Sequence, residues 1–148
     1  MNNIDEILDF AIDREQEAVD FYTALAGRDG KAWMRDLLKG FAREEAGHKA
    51  KLMAVKAGEK LLSGAQKIAD LKIVDYLVDV EVADDIDLQD ALIVAMKREK
   101  AAFRLYTDLA ARVDDVELRE LFLGLAQEEA KHKLYFETEY DDQMLRDN

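Results

Sequence analysis

The chain has 148 residues, a formal net charge of −12, and neither cysteine nor proline. Its length suits one domain with a hydrophobic core, and the absence of cysteine excludes disulfides and cysteine-ligated metal centres within these residues. The negative charge argues against nucleic acid as a partner, because its phosphates would be repelled.

The first half of the chain predicts two helices joined by a short turn. Asn3, with a glutamate three residues later, has the spacing of a capping box and is the predicted N-cap of the first helix. Gly27 and Gly30 bracket the end of that helix. The second helix is predicted over residues 31–57, and it ends at Gly58, a residue type that commonly follows a helix. Because the turn is short, the two helices should form an antiparallel hairpin.

The second half predicts another hairpin. Asp87 is the predicted N-cap of a third helix over residues 88–111. Asp114 and Glu117 repeat the capping-box spacing and open a fourth helix, which continues into the acidic C-terminal segment.

The crossover between the hairpins, residues 58–86, is long and rich in apolar side chains. A helix of about 26 residues is roughly 39 Å long, and about a dozen extended residues cover that distance. The crossover can therefore run the length of a helix and pack along it, and its secondary structure stays open. We predict an all-α, ferritin-like four-helix bundle made of two hairpins, with residues 1–148 forming a single ferritin-like diiron domain.

The two halves carry the same sequence pattern at an offset of 84 residues. AIDREQEAVDFYTALA at residues 11–26 matches AMKREKAAFRLYTDLA at residues 95–110. LLKGFAREEAGHK at residues 37–49 matches LFLGLAQEEAKHK at residues 121–133. Both histidines of the chain lie three residues after a glutamate. The offset pairs Glu15 with Glu99, Tyr22 with Tyr106, Glu45 with Glu129, and His48 with His132.

The paired glutamates interrupt apolar helix faces, so their carboxylates should be buried, where an uncompensated charge is costly. Two divalent cations would neutralise four carboxylates, and residues three apart on a helix can reach the same metal pair. Oxygen and imidazole ligands suit iron or manganese, although zinc or copper could bind by affinity alone. We interpret Glu45 and Glu129 as bridging ligands, Glu15 and Glu99 as terminal ligands, and His48 and His132 as one imidazole ligand for each metal.

Tyr22 and Tyr106 lie two turns beyond the terminal glutamates on their helices. One interpretation is that they support catalysis by donating hydrogen bonds to the ligand carboxylates. The other is that they simply fill the aromatic core.

Through EQEAVDFY, EEAGHK, EKAAFRLY and EEAKHK, the chain resembles the rubrerythrin branch of the ferritin-like diiron proteins over nearly its whole length. The resemblance implies a dinuclear iron cofactor that reacts with hydrogen peroxide or dioxygen, with manganese or zinc as possible replacements. It also implies a homodimer or larger homo-oligomer.

The chain departs from that branch in two ways. Typical rubrerythrins carry a rubredoxin-like domain with four cysteines, whereas cysteine is absent here, so electrons would come from a separate rubredoxin-type donor protein. Typical members also have one more glutamate a turn after the third-helix ligand. Ala102 occupies that position, which implies a more symmetric site with six ligands.

The leading functional prediction is a cytoplasmic oxidoreductase that reduces peroxide or dioxygen, with a role in oxidative stress. The acidic N-terminus is unlike a secretory signal, and no apolar run reaches the length of a membrane span. The alternative is a ferroxidase that handles iron. Manganese catalase activity and a purely structural metal pair also stay open, as do the physiological metal and the oligomeric state.

Overall fold

Four long helices make up most of the computed structural model, which describes residues 3–28, 31–58, 71–78 and 85–147. They are α1, Asn3–Ala26; α2, Ala32–Ala57; α3, Leu88–Arg112; and α4, Val116–Asp147. Within the described residues there is no strand, which confirms the all-α class. None of the described helices is long and apolar enough to cross a membrane. The chain divides into two compact units, Met1–Lys72 and Ile73–Asn148.

The first unit is a hairpin of α1 and α2. Lys49 Nζ donates to Gln16 Oε1 at 2.8 Å, and Lys56 Nζ donates to Asp9 Oδ1 at 2.5 Å. Moving forward along α2 therefore means moving backward along α1, so the helices are antiparallel, as predicted. The residues that α1 and α2 bury at helical spacing include Ile7, Leu8, Ala11, Tyr22, Leu38 and Leu52.

Both ends of this hairpin fall close to their predicted positions. α1 ends at Ala26, where the Gly27 amide donates to two carbonyls of the last turn. α2 begins one residue after Lys31 and ends at Ala57. Gly58 follows it with a φ of −86°, so this cap does not use the left-handed conformation that favours glycine. The side chain of Asn3 and the whole of Gly30 lie outside the described residues, so their predicted roles are not tested.

The second unit is a hairpin of α3 and α4. The prediction for α3 is confirmed, since the Asp87 carboxylate accepts from the Asp90 amide at 2.8 Å. The predicted cap of α4 is wrong by one residue. α4 begins at Val116, and the carboxylate of Asp115, the residue before it, accepts from the Leu118 amide at 3.0 Å.

Part of the crossover packs on this second unit through a short 3₁₀ helix, Ile73–Tyr76. Tyr76 is buried, and its hydroxyl donates to Asp108 Oδ2 on α3 at 2.5 Å. Burial raises the pKa of Tyr76, and the hydrogen bond to Asp108 raises it further. Tyr76 thus anchors the described part of the crossover to α3, while residues 59–70 and 79–84 lie outside the described part of the chain.

Candidate metal site

The first hairpin brings two carboxylates and one imidazole together in its interior. Glu15 comes from α1, and Glu45 and His48 come from consecutive turns of α2; all three are almost completely buried. His48 Nδ1 lies 3.4 Å from Glu45 Oε1 and 3.6 Å from Glu15 Oε2. Each residue offers a ligand atom within 4.8 Å of the others. We call this group the N-terminal triad.

The second hairpin repeats the arrangement. Glu99 comes from α3, Glu129 and His132 come from α4, and all three are buried to the same degree as the first group. His132 Nδ1 lies 3.5 Å from Glu99 Oε1, and each residue again offers a ligand atom within 4.8 Å of the others. We call this group the C-terminal triad.

The local sequence explains why these polar side chains point inward. On α2, Leu38, Glu45, His48 and Leu52 are all buried and are spaced by three, four or seven residues. This is the spacing of a single helix face. On α4, Phe122, Leu125 and Phe136 form the matching buried face around Glu129 and His132. Apolar neighbours one turn away therefore force the glutamate and histidine side chains into the interior.

The electrostatics of the N-terminal triad show the effect of burying two carboxylates together. Desolvation by burial, reinforced by the charge of Glu45, raises the pKa of Glu15 to about 8, although the interaction with His48 lowers it in part. Burial in the metal-free protein therefore favours the protonated form of Glu15. The neighbouring carboxylate of Glu45 acts in the same direction, because two like charges cannot easily be buried side by side.

The donor chemistry of each triad fits one divalent cation. Two carboxylates carry −2 when ionised, a neutral imidazole adds no charge, and an ion of charge +2 balances the group. Mixed carboxylate and imidazole donors suit iron, manganese and zinc alike. The geometry thus supports metal binding by each triad without selecting the metal.

The two repeated tyrosines are buried on the same helices as the first glutamate of each triad. The ring of Tyr22 packs edge-on against Phe41 with centroids 6.1 Å apart, and it lies 5.8 Å from Phe21. These ring contacts fit the aromatic-core interpretation, and the predicted role of Tyr22 and Tyr106 as hydrogen-bond donors to the ligands stays a prediction.

Sequence reasoning missed one polar contact beside the N-terminal triad. Gln16 and Lys49 directly follow Glu15 and His48 in sequence, and their side chains form the hydrogen bond that links α1 to α2. Gln16 also donates to Asp20 at 2.9 Å. The signal was available in part, because Lys49 and Lys133 occupy equivalent places in the repeated EEAGHK and EEAKHK segments.

No curated protein and no solved structure is similar enough to count as a match. A protein-family model described as Rubrerythrin matches residues 6–140, a range that includes both triads. The match agrees with the all-helical structure and confirms the predicted ferritin-like helical-bundle class. The chain therefore belongs to the rubrerythrin family.

Proposed function

We propose that the protein is a diiron-carboxylate oxidoreductase that reduces hydrogen peroxide, or dioxygen, with electrons from a separate donor protein. Rubrerythrins are in general diiron-carboxylate proteins of redox function. The observation that carries the proposal is the repetition of a buried triad of two glutamates and one histidine in each hairpin.

The proposed centre combines both triads into one dinuclear site within a single domain of residues 1–148. This step rests on the family and on the duplicated sequence. Four ionised carboxylates would balance two divalent iron ions. In the proposed assignment, the ions would be held by the four carboxylates and the two imidazoles, namely Glu15, Glu45, His48, Glu99, Glu129 and His132. Manganese or zinc could occupy the same donors.

When bound, two iron ions would supply Lewis acidity and the electrons that reduce the oxidant. Reduction of one peroxide molecule to two water molecules consumes two electrons and two protons. The chain contains no cysteine, and we assign electron supply to an external protein of the rubredoxin type. Glu15 would give up its proton as metal binds, because the cation favours the ionised carboxylate. Tyr22 and Tyr106 would hold the ligand carboxylates in place by donating hydrogen bonds.

Metal content tests the ligand assignment. Elemental analysis of freshly purified protein should give two metal ions per chain. Glu45→Gln and Glu129→Gln should each lower that number, because an amide binds hard cations less well than a carboxylate does. The chain supplies matched controls, since Glu44 and Glu128 directly precede these residues and are exposed and half-buried, respectively. Glu44→Gln and Glu128→Gln should keep the full metal content. Equal loss in a control and its paired variant would contradict the assignment.

The redox proposal is tested by mixing the iron(II)-loaded protein with peroxide and following the optical spectrum. We expect rapid oxidation of the centre, followed by re-reduction when a small electron-carrier protein is added. An iron centre that stays inert towards peroxide would contradict the proposal and favour a purely structural role for the metal.

A ferroxidase is the second candidate, and the same material distinguishes it. An iron-handling protein would oxidise many added iron(II) ions per chain, whereas a peroxide-reducing enzyme would cycle its own two ions. Oxygen release from peroxide by a manganese-loaded protein would instead indicate catalase activity. A cytoplasmic location, a role in oxidative stress and a homodimeric or larger assembly complete the proposal.

A further inference from the structure

A groove on the surface of the second unit is lined by three basic side chains, although the chain as a whole has a formal net charge of −12. It has a volume of about 270 Å³ and lies between α3 and the described part of the crossover. Its cations, all of them exposed, are Lys97, Lys100 and Arg104. Its apolar surface comes from Leu77, Val78 and Ala101. We call it the cationic groove.

The three cations of the cationic groove repel one another along α3. Lys100 lies three residues after Lys97 and four before Arg104, so consecutive cations are neighbours on the helix surface. Like charges at these spacings destabilise a helix. Neither lysine has an acidic residue three or four positions away, and among the described residues that line the groove only Asp75 is acidic. The groove therefore keeps an excess of positive charge that works against the stability of its own helix.

The equivalent face of the first hairpin carries the opposite charge. The offset of 84 residues pairs the three cations with Asp13, Gln16 and Asp20, in that order. There, Gln16 donates to Asp20 and accepts from Lys49, so the polar side chains bind one another within the hairpin. In the second hairpin the counterpart of Lys49 is Lys133, which pairs with Glu137 on its own helix. The duplicated pattern thus does not account for the cations, which belong to the second hairpin alone.

The cationic groove lies across α3 from a member of the C-terminal triad. At 3.6 residues per turn, Lys97 and Arg104 are about 140–160° around the helix from Glu99, whose side chain is buried. A helix with its side chains is about 10–12 Å across. A partner in the groove would therefore be separated from the Glu99 carboxylate by about one helix diameter. Because electron transfer slows steeply with distance, this surface offers a short path to the proposed metal centre.

We propose that the cationic groove is the docking surface for an acidic electron-carrier protein. This inference rests on the proposed function, which requires electrons from a separate protein. Carboxylates of the carrier would neutralise the three cations, and an apolar side chain of the carrier would cover Leu77, which is 54% exposed. Each docked carrier would be oxidised by one electron, so two successive carriers would supply the two electrons that reduce one peroxide molecule.

The net negative charge of the chain does not prevent this docking. At physiological ionic strength, exposed charges more than about 8 Å apart are largely screened, so the charges in and around the groove decide the interaction. A small-molecule electron carrier fits the groove less well than a protein does. Sites for such molecules usually enclose about 300–1,000 Å³ and bury most of the ligand, whereas this groove is smaller and its cations are exposed.

Calorimetric titration of the metal-free protein with an acidic rubredoxin-type protein tests the surface without any redox chemistry. Lys97→Glu combined with Lys100→Glu should raise the dissociation constant by about tenfold or more. Arg104 is left unchanged, because its guanidinium lies over the Tyr76 ring, 6.0 Å from the centroid, and contacts the crossover. Far-UV circular dichroism checks that the variant stays folded.

The matched control is Lys39→Glu combined with Lys51→Glu, which makes the same change in net charge at exposed positions of α2. It should change the dissociation constant far less. Equal weakening in both double variants would overturn the surface, as would the absence of binding by the native protein. Binding of inorganic phosphate at Lys97 and Lys100 without binding of the carrier would assign the groove to a small anion instead and would also overturn the proposal.

Chemical cross-linking locates the contact directly. A carbodiimide joins lysine amines to carboxylates that touch them, and peptide mass spectrometry identifies the linked residues. Links to the carrier should concentrate at Lys97 and Lys100. Links spread evenly over the exposed lysines, including Lys39 and Lys51, would contradict the proposed surface.

Electron delivery separates this proposal from the proposed function. In the iron(II)-loaded Lys97→Glu, Lys100→Glu variant, oxidation by peroxide should keep its native rate, because that step needs no partner. Re-reduction by the carrier at low concentration should slow by about tenfold. An iron centre inert towards peroxide would contradict the proposed function while leaving carrier binding measurable, whereas native re-reduction in the variant would overturn the docking surface alone.

Discussion

Glu15→Gln should make the metal-free protein more stable at neutral pH while weakening its ability to bind metal. The pKa of Glu15 rises from its ordinary value of 4.5 to about 8, with burial as the largest cause. At about 1.4 kcal/mol per pKa unit, this rise corresponds to a change in unfolding free energy on the order of 5 kcal/mol between about pH 4.5 and about pH 8. The side chain is almost completely buried, so solvent screening reduces this figure little.

The sign of the pH dependence of stability follows from the direction of the pKa shift of Glu15. Because the pKa is higher in the folded than in the unfolded chain, the protonated carboxyl favours the folded state. Its contribution to stability is fully present below about pH 4.5 and is lost as the pH rises through about 8. Glutamine has the shape of the protonated carboxyl and does not titrate. The metal-free Glu15→Gln variant should therefore keep the stability that the native protein loses between these pH values.

The assay is guanidinium unfolding, followed by far-UV circular dichroism, at a series of pH values in the presence of a chelator. The difference in unfolding free energy between variant and native protein should grow with pH by several kcal/mol. Glu44→Gln, at an exposed position of α2, serves as the control and should show no such growth. When metal replaces the chelator, the native protein should become more stable than Glu15→Gln, because the native carboxylate binds the cation and glutamine does so poorly. Parallel pH profiles for native protein and Glu15→Gln without metal would refute the reasoning.

Three further predictions concern the scaffold. Asp115→Ala should lower the unfolding free energy by about 1 kcal/mol by removing the N-cap of α4, whereas Asp115→Asn, which keeps a capping side chain, should change it far less; chemical unfolding of the two variants checks this. Gly47→Ala should stabilise the protein by about 0.5–1 kcal/mol and raise the thermal midpoint of unfolding, because Gly47 is an exposed position inside α2 with open space around its Cβ. The metal content of this variant should not change. Tyr76→Phe should cost about 1.5–3 kcal/mol, because it leaves the Asp108 carboxylate without that hydrogen bond, and hydrogen exchange should report faster opening of the 3₁₀ helix.

The helices could be predicted from sequence because their signals are local. Asp87 caps α3 as expected, and the glycines after α1 and α2 mark their ends within one residue. The cap of α4 could not be placed the same way, because Asp114 and Asp115 are neighbouring candidates of the same chemistry. The choice depends on packing, since Val113 and Leu118 on either side are buried and set where the turn ends.

The membership of each triad was likewise predictable, because Glu15 and Glu99 interrupt apolar helix faces and both histidines follow a glutamate at helical spacing. The hydrogen bond between Gln16 and Lys49 could not be predicted from the sequence, because it depends on the distance between two helices and on the conformations of two long side chains. The same limit applies to the crossover. In its described part, Tyr76 donates to Asp108, 32 residues away, and nothing in the local sequence around Tyr76 signals that partner.

The two triads also give a reason to expect that neither half of the duplication has lost its function. The distance from the histidine Nδ1 to the carboxylate of the first helix is 3.6 Å in the N-terminal triad and 3.5 Å in the C-terminal triad. A half that no longer bound metal would gain stability from any change that replaced its buried glutamates by apolar residues, because burying a carboxylate without a cation is costly. Both pairs of glutamates nevertheless persist at near-equal geometry. Buried carboxylates in both hairpins are therefore what the proposed metal centre predicts.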